Sequence, residues 1–188
     1  MEIILKKEHF RQMPWKNGQG MTQEIDIFPE GADLAKVDFH WRLSSAEIKS
    51  DNVFSNFPGY DRHLIVLSGE GLKLNQQSLL PLKVHSFHGE DSIQCSLIGG
   101  VVVDLGIIYR RNIYHCDMQI VTLNQDEKLF FGDGIHYLKT ISGSIVFNSV
   151  LVNTDEVLKI EGNEIFDIQA TNYPIQILKI SITMKSAK

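Results

Sequence analysis

The feature that most limits how this chain can fold is a repeat. The segment LSGEGLKLN around Gly69 returns as ISGSIVFN around Gly143, HGEDSIQCS around Gly89 returns as EGNEIFDIQ around Gly162, and VVVDLG from Val101 returns as PIQILKI from Pro174. Three matches in the same order and at nearly constant spacing imply one β unit used twice, each copy running strand, Ser-Gly turn, return strand, second glycine turn and closing strand. An antiparallel sheet exposes unpaired N–H and C=O groups along its edges unless it closes or packs face to face. Two jelly-roll-like β-barrels are therefore expected, one over residues 1–111 and one over 112–188, with the N-terminal strand available to complete the second.

The rest of the chain agrees with an all-β class. HWRLSSAEI, RHLIVLSGEGLKLN, HYLKTISGSIVFN and PIQILKISI are short, rich in β-branched residues and partly alternating, and glycine-bearing turns separate them. No segment reads as a long amphipathic helix. The specialised decoration belongs to the first half, because PWKNGQGMTQEI, DFHWRLSSAEI and FSNFPGYDRHL have no counterpart of similar character ahead of Gly143.

Composition removes several function classes. A formal charge of −5 argues against nucleic acid, whose phosphates call for a basic face. The longest apolar run, SLIGGVVVDLGIIY, is interrupted by Gly and Asp well short of the ~20 residues a membrane helix needs. The N-terminus places its basic residues, Lys6, Lys7 and Arg11, after a short apolar tetrad, the reverse of a secretory signal, so a cytoplasmic location is expected. The two cysteines, Cys95 and Cys116, lie in no metal or redox motif and read as buried thiols.

Chemistry-bearing motifs are sparse. No HxH occurs, and His85 and His88 in VHSFHGE would point to opposite faces of a strand, so neither a metal site nor a cofactor is expected even with Glu90 close by. LSGEG and ISGSI lack nucleophile-elbow spacing. In HWRLSSAEI, alternation puts Arg42, Ser44 and Ala46 on one face and Trp41, Leu43 and Ser45 on the other. If the Arg42 face looks inward, its guanidinium needs a partner, and its planar fork suits a carboxylate. Two readings stand: an ion pair with Glu24, Asp26 or Glu47, or an anionic ligand. Arg62 has the same alternatives, with Asp61 or Glu70 as protein partners.

The ordered blocks PWKNGQGMTQEI, DFHWRLSSAEI, FSNFPGYDRHLIVLSGEGLKL, FHGE and VVDLGIIYRR, spread over residues 14–111, resemble the motif series of the HutD/Ves family of bacterial cupin-type proteins. The resemblance implies a two-cupin (bicupin) β-barrel protein with a polar pocket and no firmly established enzymatic activity. HutD members are associated with histidine utilisation and Ves with environmental stress. The matching residues are Trp15, Asn17, Gly18, Gly20 and Thr22, then Trp41, Arg42, Ser44 and Ala46, then Phe54, Ser55, Gly59, Asp61 and Arg62; Gln19 stands where the family usually has a third glycine.

Residues and resemblance together give an expectation of a binding module for a small carboxylate such as urocanate or formylglutamate. Trp15, Asn17, Thr22, Arg42, Ser44 and Arg62 would line its site, and a glycine-permitted loop from Trp15 to Thr22 would bring Asn17 to the mouth of the first barrel. A homodimer stands as the candidate assembly. The alternative is a cupin-type isomerase or hydrolase on a similar acid, with Glu24 or Asp61 as base.

Overall fold

The computed structural model describes residues 1–15 and 20–186, with the side chain of Glu164 left aside. It begins with β1 (Glu2–Leu5) and a 3-10 turn at Lys7–His9. Then come β2 (Arg11–Pro14), β3 (Gly20–Phe28), β4 (Trp41–Ile48), β5 (Asn52–Val53), β6 (Tyr60–Ser68), β7 (Leu72–Leu74), β8 (Gln77–Leu79), β9 (Val84–His88), β10 (Gln94–Leu97) and β11 (Val102–Arg110). The remaining strands are β12 (Tyr114–Leu123), β13 (Glu127–Phe131), β14 (Ile135–Thr140), β15 (Ile145–Phe147), β16 (Val150–Val152), β17 (Val157–Glu161), β18 (Glu164–Ala170) and β19 (Ile175–Met184). No described helix is long and apolar enough to cross a membrane.

Two compact units result, one of residues 10–112 and the other of residues 1–9 with 113–188. Strand β1 pairs antiparallel with β17, so the first nine residues belong with residues 113–188. In residues 10–112 a six-stranded sheet, β2-β3-β4-β11-β6-β9, accompanies a four-stranded one, β5-β10-β7-β8. In the other unit the sheets run β1-β17-β14-β19-β12 and β13-β18-β15-β16. Neither pair closes into a continuous hydrogen-bonded barrel among the described residues; each is a pair of sheets with an apolar filling, which corrects the expectation of barrels. The order β4-β11-β6-β9 beside β5-β10-β7-β8 matches β12-β19-β14-β17 beside β13-β18-β15-β16 strand for strand.

Alternation along the strands builds each filling. In the unit of residues 10–112, Ile48, Leu64, Val66 and Val102 from the larger sheet meet Leu72, Leu74, Leu79 and Cys95 from the smaller one. A second cluster, Ala32, Phe39, Phe57, Tyr60 and Ile108, seals one end. There the Tyr60 hydroxyl donates to the Phe39 carbonyl at 2.6 Å, and Arg110 Nε donates to the same carbonyl at 3.0 Å. Arg110 thus fastens the 29–40 loop rather than ending as a solvated strand terminus. In the other unit, Leu123, Phe131, Leu138, Phe147, Val152, Ile160, Phe166 and Ile177 fill the same kind of space.

Candidate functional site

Directly paired residues of neighbouring strands point to the same side of a sheet, so register alone locates the inward groups of the larger sheet in residues 10–112. Ile108 on β11 lies opposite Arg42 of β4 on one side and Arg62 of β6 on the other. Gly106 lies between Ser44 and Leu64, and Asp104 between Ala46 and Val66. An extra residue in β3 between Glu24 and Asp26 shifts its register, leaving Thr22 opposite Ala46 and Glu24 opposite Ser44. Polar side chains from four consecutive strands thereby share one wall of a cavity of about 680 Å³, closed on other sides by Trp15, Phe54 and Phe57.

Arg42 is 4% exposed and Glu24 7%. Arg42 Nε donates to Glu24 Oε2 at 2.6 Å and Nη1 donates to Ser44 Oγ at 3.2 Å, while Nη2 is buried and has no partner among the described residues. The carboxylate partner exists, yet it uses only one side of the fork. Arg11 approaches the other Glu24 oxygen at 3.8 Å from the surface.

Arg62 is held differently. Its guanidinium carbon stands 5.0 Å from the centre of the Phe54 ring and 4.9 Å from that of Phe87, and Nη1 donates to the Ser55 carbonyl at 3.2 Å. Burial, together with the like charge of Arg42 and against the attraction of Asp104, brings its pKa down to about 10, so it remains cationic at neutral pH. It pairs with neither Asp61 nor Glu70, because Asp61 precedes it in β6 and projects to the opposite face. There Asp61 meets His88 Nδ1 at 2.8 Å and Arg111 Nε at 3.5 Å, while Arg111 also pairs with Glu90. Asp61 is therefore not placed to serve as a base in the cavity.

Trp15 Nε1 donates to Thr22 Oγ1 at 2.9 Å, and the Trp15 ring lies over Gly20, where a Cβ would come within 2.6 Å of it. Gly20 is thus required by close approach of an indole. Thr22 and Ser44 each accept from a neighbour and keep a hydroxyl proton to donate. Asn17 lies outside the described residues.

Asp104 lies in the family block VVDLGIIYRR but is not among the expected site residues. It is 6% exposed, its Oδ1 accepts from Ala46 N at 2.9 Å, and burial, opposed by that bond and by Arg62, pushes its pKa up to about 7. The available signal was a lone acid in the apolar run VVVDLGIIY, two residues from a glycine.

The sequence model of the HutD family matches residues 7–176. The chain belongs to the HutD family. A 21.2 kDa protein of the hutC 3′ region in Pseudomonas putida is 38% identical over 122 residues, 62% of each chain, so the match spans less than two thirds of that relative's length. Protein Ves of Citrobacter koseri is 32% identical over 155 residues, 78% of each. The structure of HutD from Pseudomonas fluorescens SBW25, in a formate condition, superposes with a TM-score of 0.81 at 29% identity, covering 99% of this chain and 100% of that one. The fold alone extends to bacterial pirin YhhW from Escherichia coli, solved with nickel(II), at a TM-score of 0.67 and 12% identity over 96% of this chain and 98% of that one. The fold is accordingly cupin-like.

Within this HutD-family chain, the motif residues Trp15, Thr22, Arg42, Ser44 and Arg62 all line the one cavity. At the matching place in the other unit stands His136, seven residues before Gly143 as Arg62 is before Gly69, engaged by Ser181 Oγ at 2.9 Å and the Gly132 carbonyl at 2.8 Å. Burial lowers its pKa. Among the described residues, no group of three or more His, Cys, Asp or Glu is disposed to hold a metal ion.

Proposed function

We propose that this HutD-family protein binds a small carboxylate, an acid such as urocanate or formylglutamate, in the cavity of residues 10–112. Arg42 and Arg62 hold the anion, and Thr22 and Ser44 supply further hydrogen bonds beside Trp15. The observation that carries this reading is the buried Nη2 of Arg42, unpartnered among the described residues, beside a second cation. Leaving a buried charged donor unpaired is costly, and a carboxylate oxygen relieves that cost and the repulsion between the two guanidinium groups. Thr22 and Ser44, both with hydroxyl protons to donate, suit an anion as well.

The role is regulatory or accessory, in the cytoplasm, within histidine or amino-acid catabolism or a stress response; similarity to a protein of the hutC 3′ region and to Ves supports it. The matching strand order of the two units supports descent from a duplicated cupin, with the site kept in one copy. A second reading, an isomerase or hydrolase on a similar acid, draws on Asp104, whose pKa near neutrality suits a general base.

A thermal-shift panel on EDTA-treated protein tests the proposal, because a ligand that binds only the folded state raises Tm by mass action. The panel contains urocanate, formylglutamate, formiminoglutamate, glutamate and divalent metals. A rise with a carboxylate that disappears in Arg62→Met supports the site. A rise with metals alone, or with none of the panel, contradicts it.

A further inference from the structure

Asp104 is an awkward residue for a site that only receives an anion. An ionised carboxylate is acceptor-only and repels a second one, yet this side chain sits on the wall of the same cavity as Arg42 and Arg62. It is more than nine-tenths buried, and a single bond, from Ala46 N to Oδ1, satisfies it. Oδ2 accepts from no group of the described residues. Along β11 the acid lies four residues from Ile108, the position the two arginines flank, a separation of roughly 13 Å between backbone positions. Midway stands Gly106, over which the paired Leu64 side chain closes, so that a Cβ there would meet Leu64 Cδ1 at 3.2 Å. The wall thus has a cationic end, an apolar middle at Gly106 and Leu64, and an acceptor end.

Building on the carboxylate reading above, we propose that the ligand lies along β11 across Gly106 and carries, besides its carboxylate, an N–H donor whose proton Asp104 Oδ2 accepts. The class is an N-acylated amino acid, an azole-bearing acid or a comparable N–H acid, and the same site disfavours acids whose matching atom is an ether or ester oxygen. Once Asp104 is ionised, above a pH of about 7, such an oxygen would face Oδ2 lone pair against lone pair, leaving both acceptors unsatisfied in a buried place. This is how a polar site rejects an isostere strongly.

The charged and titratable groups facing Asp104 are Arg62 from β6 and the Cys95 thiol from β10. Arg42 of β4 faces Arg62 and is itself paired with Glu24 of β3. Burial and Asp104 itself push the Cys95 thiol up to about 12, so it stays protonated. Asp104 is then the group of this set that changes charge near neutrality, and only its ionised form offers two acceptor oxygens. Affinity for an N–H ligand rises with pH through about 7 and levels off above it.

The test uses two matched pairs: formylglutamate against the ester in which oxygen replaces its N–H, and 3-(pyrrol-2-yl)propanoate against 3-(furan-2-yl)propanoate. Calorimetric titration at pH 8 is expected to show the N–H member of at least one pair binding about tenfold or more tighter. That preference should shrink at pH 6 and vanish in Asp104→Asn, whose amide oxygen still accepts from Ala46 and whose NH2 turns toward the cavity. Equal binding within both pairs, still abolished by Arg62→Met, overturns the N–H proposal and leaves the carboxylate site standing. No binding by any of the four, nor by urocanate, overturns the carboxylate reading on which it rests.

Discussion

Arg42 and Arg62 face the same residue, Ile108, from the two strands that flank it, so two guanidinium groups look into one cavity from neighbouring places on one wall. A fold gains nothing from such an arrangement by itself. Glu24 neutralises Arg42, whereas Arg62 has ring faces and a single carbonyl for company. The consequences differ for the two arginines.

Replacing Arg62 should weaken binding more than folding. Arg62→Met keeps the apolar contact with Phe54 and Phe87 and removes both a desolvated charge and its repulsion with Arg42. The expected change in stability is within about 1 kcal/mol by urea unfolding, while carboxylate affinity falls about tenfold or more.

Replacing Glu24 should do the reverse. Glu24→Gln leaves a buried guanidinium facing a neutral amide, with only exposed Arg11 beyond it. Breaking a buried pair by removing one partner costs roughly 3–5 kcal/mol, and the retained amide oxygen places the expectation at the lower end, to be read from the urea midpoint at unchanged slope.

The pH dependence of stability carries the signature of Asp104. In the folded chain it keeps its proton up to about 7, whereas the unfolded chain releases it near the ordinary carboxylate value of 3.8. Between those values the folded state binds more protons, so this residue makes stability fall as pH rises from about 4 to 7 and contributes no further slope above. The wild type minus Asp104→Asn difference should therefore decline across that window by up to about 4 kcal/mol. A flat difference would mean that Asp104 is ionised throughout.

Thr140 offers a check on the other unit. The residue is 1% exposed, on β14, and its hydroxyl has no hydrogen-bond partner among the described residues. Thr140→Val keeps the shape and removes an unsatisfied polar atom, so a gain of about 1 kcal/mol is expected in thermal or urea unfolding.

How much of this was legible in the sequence depended on the range of the interaction. The repeat and the strand alternation foretold an all-β chain, and Arg42 with Ser44 did fall on an inward face, since alternation is a local property of the backbone. The tie of Arg110 to the 29–40 loop was not readable, because it joins segments far apart in the chain. Asp61 and Arg62 look like a natural pair in sequence, yet adjacency in a strand sends them to opposite faces. Asp104 was hidden for a related reason. Nothing around it in VVVDLGIIY indicates which residues from β4 and β6 it will face, and burial by those strands is what raises its pKa.

The most direct test of the central claim is a calorimetric titration of urocanate and formylglutamate into the wild type and Arg62→Met, with the folded state of the variant checked by its urea midpoint. An anion site at Arg42 and Arg62 predicts saturable one-site binding of at least one of the acids to the wild type, reduced about tenfold or more in a variant of nearly unchanged stability. Equal affinity in the two proteins, or no heat from either acid with the wild type, would contradict it.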